Sequence, residues 1–374
     1  MIRSTVCITE YRDRIVSWLD VDSRMERLSV ARPDEDITGN IYVGTVKHVV
    51  KNLDACFVEF DKDKLGFLSF NDVYPKMRIT EGMQVTVQVV KEASKKKEAV
   101  LTMKLSIPGD YCVAIYDDKS VNVSRKITGD DRSRLREAFP KEIDLSFTIR
   151  TNATGVSDMS LITDEANRLS DKLHNILDIS NMRKAPALCY ESDKDHTKFL
   201  QSLYAGSYDR VLTDIKEIYE ELKDRYPCEL YDDEYPLSKL YSLETKMDEL
   251  LSSRVWLKSG GNILIEYTEA MTVIDVNSAK NLAGKDREVN VLNINKEAAC
   301  QIARQLRLRN ISGIIIVDFI NMQQENSKAE LAAYLRSQLQ ADPVRCDYVD
   351  MTSLGLVEIV RRKIKPPIYE IMSK

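Results

Sequence analysis

The residues best suited to chemistry in this 374-residue chain are Asp275 and Asp318, with Asn277 close behind the first. Each aspartate follows a run of β-branched or apolar residues, Met271 to Ile274 and Ile314 to Val317, too hydrophobic to lie on a surface. A carboxylate at the end of a core strand stays ionised only beside a counter-charge. Two such strand ends brought side by side would offer oxygen ligands to a hard divalent cation. Asn277 lies two residues beyond Asp275, on the same face of an extended chain, where its amide could orient the carboxylate. A single strand-end aspartate more often caps a segment or pairs with an arginine. The pair together with the asparagine favours a site for a hard divalent cation.

The elements that must position these groups can be read from periodicity. Ile263 to Tyr267 and Met271 to Val276 read as two strands around the turn Thr268-Glu269-Ala270. Ile314 to Val317, with Gly313 before it, reads as a strand buried on both faces. Lys296 to Arg309 reads as a helix with Ala299, Ile302, Ala303 and Leu306 on one side. A helix from about Ser327 to Leu339 and a strand near Cys346 to Val349 complete a layered α/β order. Further helices are expected over Glu165 to Ile179, around Gln201 to Lys223, and over Ser242 to Trp256. The opening residues, Met1 to about Arg32, alternate like short strands but are too few to fold alone.

From Gly39 to about Lys104 the pattern is all β. GNIYVGTVKHVV, ACFVEF, LGFLSF, MQVTVQVVKEA and AVLTMKL give five strands with glycine bends, which suggests an OB-fold barrel. Phe57 and Phe67 are candidates for a stacking platform, with barrel core as the plainer role, and Lys97 follows Lys95 and Lys96 in a turn where it could meet a phosphate.

Composition narrows the classes. With 54 basic and 59 acidic residues the net charge is −5, so any nucleic-acid surface must be local. Seven cysteines without a C-x-x-C pair fit core thiols of a reduced cytoplasmic protein better than a disulfide framework or a zinc site. Three scattered histidines argue against a histidine-based nuclease or a Ser-His-Asp hydrolase. No signal peptide or membrane-length apolar run is seen. The acidic stretch Tyr231 to Glu234, flanked by Pro227 and Pro236, reads as a solvated loop rather than a metal site.

TEAMTVIDVNSA, EAACQIARQLRLRNISGIIIVDFINM and GLVEIVRRKIKPP resemble the catalytic region of the ribonuclease E/G family of bacterial endoribonucleases, and similar motifs recur from about Gly39 to the C-terminus. The resemblance implies an α/β multidomain fold: an RNase H-like subdomain (1–36 and 188–250), an inserted OB-fold RNA-binding domain (37–104), a 5′-monophosphate sensor region (105–187) and a DNase I-like catalytic domain (251–374). It implies that Asp275 and Asp318 ligate Mg²⁺, with Mn²⁺ possible, while Asn277 fixes Asp275. Phe57, Phe67 and Lys97 match positions that grip single-stranded RNA. Gly109, Val113, Arg150, Thr151 and Arg361 match the sensor pocket, where an arginine fork, a hydroxyl and a close-approaching main chain suit a phosphate. Arg304, Arg307 and Arg309 are then either solvated or turned toward an RNA backbone.

The implied activity is hydrolysis of single-stranded, A/U-rich RNA, leaving 5′-phosphate and 3′-hydroxyl ends, in rRNA processing and mRNA decay. Two departures stand out. The position after the second aspartate that is commonly acidic is Asn321, and the paired-cysteine zinc motif that joins protomers in the family is missing up to Lys374. No zinc is therefore expected in this chain, and a homodimer formed by other means, a monomer and a truncated tail all stay open. A noncatalytic RNA-binding scaffold is the competing reading, and a DNA nuclease a third.

Overall fold

The computed structural model describes residues 4–32, 36–93, 97–139, 144–203, 206–278 and 287–373. The chain divides into two compact units: Met1–Ala31 with Tyr208–Lys374, and Arg32–Ser207. Among the described residues no helix is long and apolar enough to cross a membrane.

In the unit Arg32–Ser207, the strands Ile41–Val50, Ala55–Asp61, Lys64–Ser69, Ala99–Thr102 and Gln84–Lys91 pair in that order, and the last pairs back with the first. This closes a five-stranded barrel. Only Lys64–Ser69 and Ala99–Thr102 run parallel, an arrangement consistent with an OB-fold. Val46, Cys56, Val58, Phe60, Leu68, Val87 and Leu101 fill its interior. Beyond the barrel, the helix Ser160–Met182 lays Ile162, Ala166, Leu169, Leu173 and Ile176 against a four-stranded sheet that contains Cys112–Ile115 and Ser146–Ile149. That is the i, i+4, i+7 stripe of an amphipathic helix, longer at both ends than the expected Glu165 to Ile179.

In the other unit, Ser4–Glu10, Ile15–Val21 and Arg24–Ala31 form an antiparallel meander. Ser4–Glu10 also pairs in parallel with Arg210–Thr213, which pairs with Cys228–Leu230. The opening strands thus complete their sheet with later residues, as their lack of a core requires. A second, six-stranded sheet runs Arg254–Trp256, Asn262–Tyr267, Thr272–Asn277, Gly313–Asp318, Leu356–Arg361, Cys346–Met351. The parallel pairing of its third and fourth strands needs a crossover, and the helix Arg287–Leu308 supplies it. This helix and Glu325–Gln340 bury Val291, Ala298, Ile302, Leu306, Leu331 and Leu335 against Ile263, Ile265, Ile274, Ile315 and Val317.

Three expectations are corrected. The long helix around Gln201 to Lys223 is instead the helix Asp195–Ser202, the strand Arg210–Thr213 and the helix Lys216–Leu222, because pairing with the N-terminal strand outweighs local helical propensity. The helix expected over Ser242 to Trp256 ends at Leu251, and Arg254–Trp256 is an edge strand. Its β-branched and aromatic residues suit the pleated surface better. Finally, among the described residues Gly313–Asp318 is covered on one face only: Ile315 and Val317 are 0% exposed, whereas Ile314 is 48% exposed. Both helices pack on the same side of the sheet.

Candidate active site

Thr272–Asn277 and Gly313–Asp318 run in register, so Thr272 pairs with Ile315, Ile274 with Val317 and Asp275 with Asp318. Alternation sends Thr272, Ile274, Ile315 and Val317 toward the helices and Val273, Asp275, Asn277, Ile316 and Asp318 to the uncovered face. Neighbouring strands lie about 4.8 Å apart, so the two carboxylates stand side by side. Asp275 is half-buried and Asp318 exposed. The two residues singled out for chemistry are therefore brought together.

Asn277 does what its spacing suggested: its Nδ2 donates to Asp275 Oδ2 at 2.6 Å. The strand end carrying Asn277 is in turn fixed by its pairing with Asn262. Gly261 adjoins it so closely that a Cβ there would sit 2.5 Å from the Asn277 carbonyl oxygen. Any side chain at 261 would push Asn277 aside.

Two residues that the periodicity did not single out hold the chain leaving Asp318. Asn295, fully buried on the crossover helix, donates from Nδ2 to the Ile320 carbonyl (2.8 Å) and accepts from the Ile320 N–H (3.1 Å). The Glu288 carboxylate accepts from the Gln323 and Gln324 N–H groups, and the Gln324 bond first among several holds its pKa below the ordinary glutamate value. A signal for Asn295 exists in the sequence, since it interrupts the apolar stripe Val291, Ala298, Ile302. Asn321 is exposed between these two clamps.

Among the described residues no group of three or more His, Cys, Asp or Glu side chains is placed to hold a metal ion. Two adjacent carboxylates on an open face are the kind of donor set Mg²⁺ takes, since it binds one or two carboxylates and keeps several waters. The residues present fit such an ion.

The arginines of the crossover helix are otherwise engaged. Arg309 is 2% exposed and donates to Gln305 Oε1, Ser252 O and Glu249 O. Arg304 donates to Met25 O and lies 3.5 Å from Glu26. Burial pushes both guanidinium pKa values down. These two are internal fasteners rather than solvated or RNA-facing charges, which corrects that expectation; Arg307 is half-buried.

In the barrel, Phe57 and Phe67 are register partners on neighbouring strands. Their rings meet edge to face with centroids 6.0 Å apart. Both are half-buried and stand outside the interior cluster, on the barrel's outer surface. Lys97 is exposed, three residues before Val100, the partner of Phe67; Lys95 and Lys96 lie outside the described residues.

Four of the five proposed sensor residues also fall together. Arg150 follows the strand Ser146–Ile149, which pairs with Cys112–Ile115 so that Val113 meets Thr148. Its guanidinium donates to the Gly109 and Gln201 carbonyls, and Thr151 Oγ1 lies 3.1 Å from Ser124 Oγ. The turn between Gly109 and Val113 is tied by Glu165, 4% exposed, whose carboxylate accepts from the N–H groups of Asp110, Tyr111 and Cys112 at 2.7, 2.7 and 2.9 Å. A Cβ on Gly109 would lie 2.5 Å from that carboxyl group. Arg361 sits in the other unit, 3% exposed. There it donates to Asp342 Oδ2 (2.8 Å), Asn310 Oδ1 (3.0 Å) and Ile311 O (3.1 Å).

Comparison with known proteins agrees with the motifs. The Ribonuclease E/G family model matches residues 106–364. Ribonuclease E of Synechocystis sp. is 32% identical over 100% of this chain and 59% of its own length. Ribonuclease E of Escherichia coli strain K12 is 30% identical over 99% of this chain and 38% of its own length. Ribonuclease G of the same strain is 31% identical over 90% of this chain and 75% of its own length. The chain spans about half the length of the ribonuclease E relatives.

Proposed function

The chain belongs to the ribonuclease E/G family, and on that premise we propose that it is an endoribonuclease acting in RNA processing and decay. Its substrate is single-stranded RNA, A/U-rich by the family resemblance, cut at internal phosphodiesters to leave 5′-phosphate and 3′-hydroxyl ends. In this reading the five-stranded sheet of the first unit is RNase H-like and the six-stranded sheet DNase I-like. The observation that carries the proposal is the register pairing of Asp275 with Asp318 on an uncovered sheet face.

Asp275 and Asp318 would hold Mg²⁺ or Mn²⁺, which when bound acidifies a water nucleophile and neutralises charge on the phosphate. Asn277 keeps the Asp275 carboxylate turned toward its neighbour, and the clamps at Ile320 and Gln324 keep the chain beyond Asp318 off the open face. The uncovered sheet lets a polymer lie across the pair. Phe57 and Phe67 stack bases and Lys97 meets a phosphate. Gly109, Val113, Arg150 and Thr151 form a 5′-monophosphate sensor. Arg361 would have to leave Asp342 to meet a phosphate, so the sensor rests on the other four.

The test is a 5′-monophosphorylated, fluorescent single-stranded oligoribonucleotide incubated with Mg²⁺ or with EDTA. Cleavage is expected with Mg²⁺ alone. Cleavage that persists in EDTA removes the metal reading, and binding without cleavage leaves a noncatalytic scaffold. The DNA version of the oligonucleotide should stay intact.

A further inference from the structure

We propose that Trp256 and Arg254 form a stacking subsite for a nucleotide beside the scissile phosphate, an inference that rests on the substrate reading above. Strand register carries it. Trp256 pairs with Asn262, and Asn262 pairs with Asn277. One row over, Arg254 pairs with Leu264, Leu264 with Asp275, and Asp275 with Asp318. Paired residues share a sheet face, so Trp256 and Arg254 stand on the same uncovered face as the carboxylates. Val255, between them, turns the other way and packs on the core. Two strand spacings separate Trp256 from Asn277 and Arg254 from Asp275, about 10 Å in all.

The chemistry of the pair fits a nucleotide. Trp256 is 66% exposed on an edge strand, and the Arg254 guanidinium lies 5.6 Å from its ring centroid. Lys258 is exposed two residues on. Among the described residues neither Arg254 nor Lys258 has a carboxylate within ion-pair distance. Asp248 and Glu249 line one depression with Arg254 and Trp256, and Arg254 and Lys258 line an adjoining one with Arg24, Lys246 and Arg304, so the phosphate belongs on the Lys258 side and the base on the indole. An indole face beside an unpaired cation binds single-stranded RNA without demanding a sequence.

The chain has two tryptophans, and Trp18 is 0% exposed, so a change in emission on adding RNA reports Trp256. In EDTA, a single-stranded oligoribonucleotide should quench the wild-type protein saturably and leave Trp256→Phe unquenched. With Mg²⁺, Trp256→Ala should lower kcat/KM roughly tenfold, the scale of one lost base stack, while Trp256→Phe recovers most of it. Oligonucleotides with one abasic residue at successive positions around the cut should show one position whose loss is not additive with Trp256→Ala. A protein that quenches but does not cut keeps the subsite and loses the hydrolytic reading. A protein that cuts, with Trp256→Ala cutting as fast and no abasic position coupled to it, loses the subsite and keeps hydrolysis. A Trp256→Ala variant that cuts normally but changes sedimentation assigns this face to a second copy of the chain and overturns the proposal.

Discussion

Asp275 and Asp318, 43 positions apart in the chain, are register partners on adjacent parallel strands, and their side chains share one uncovered sheet face. Asp275→Asn and Asp318→Asn should each lower turnover by on the order of a hundredfold or more, the scale of losing one aimed electrostatic group, with RNA affinity kept. Single-turnover cleavage and fluorescence anisotropy on the same oligonucleotide separate the two effects. Parental rates in either variant would put the metal elsewhere.

Glu165 and Arg150 brace one turn from two sides, the first through three N–H groups and the second through the Gly109 carbonyl. Arg150→Ala should reduce the preference for a 5′-monophosphate over a 5′-hydroxyl substrate. Glu165→Ala should do the same without touching the phosphate, and Glu165→Gln, which keeps an acceptor oxygen, should recover part of the preference. The measurement is the ratio of kcat/KM for the two substrates; an unchanged ratio in Arg150→Ala rules out the sensor assignment.

Phe57→Ala and Phe67→Ala should each weaken binding of single-stranded RNA by about 1–3 kcal/mol per unstacked base. Lys97→Ala should make the dependence of log Kd on log salt shallower by about one unit. Titrations at several salt concentrations read both, and a flat wild-type salt response would remove Lys97 from the interface.

The Arg361–Asp342 pair is 3% and 2% exposed. Removing one partner leaves an uncompensated buried charge, which costs about 3–5 kcal/mol. Asp342→Ala and Arg361→Ala should therefore lower the denaturation midpoint strongly, and the double variant less than the sum. Additive losses in denaturant titrations would show that the two residues do not act as a pair.

Glu288 supplies the acid-sensitive element. Its folded pKa lies below the ordinary value, chiefly through the Gln324 N–H, so its hold on the loop is present above the unfolded value of about 4.3 and is lost as pH falls through the folded one. The amide shifts of Gln323 and Gln324 should titrate together with a midpoint under that of a free glutamate. Glu288→Gln should abolish the titration.

Much of this was legible in the sequence because the pattern and the packing obey one period. The barrel strands and the shared face of Asp275 and Asn277 follow from alternation, whereas the pairing of Asp275 with Asp318 is expected from two like strand ends and from the family resemblance. What escaped lies where distant chain decides local structure. Arg210–Thr213 is a strand because Ser4–Glu10 accepts it, and Arg254–Trp256 is one because Asn262–Leu264 pairs with it. Ile314 reads like core, yet among the described residues its face has no covering layer. Glu288 and Glu165 act by bonding main chain far away in sequence, which no spacing rule reports, and Asn295 shows in the sequence only as a polar break in an apolar stripe. Arg304 and Arg309 look like surface charge until their internal partners are known, and Arg361, matched to the sensor pocket by resemblance, is paired with Asp342.

The parallel pairing of Ser4–Glu10 with Arg210–Thr213 sets an order of events during synthesis. Ser4 bonds Asp209, 205 residues downstream, so at roughly 5–20 residues per second the nascent meander waits roughly ten to forty seconds on the ribosome for its neighbour. Through that interval one long edge of backbone N–H and C=O groups stays open while the inserted barrel emerges and closes on itself.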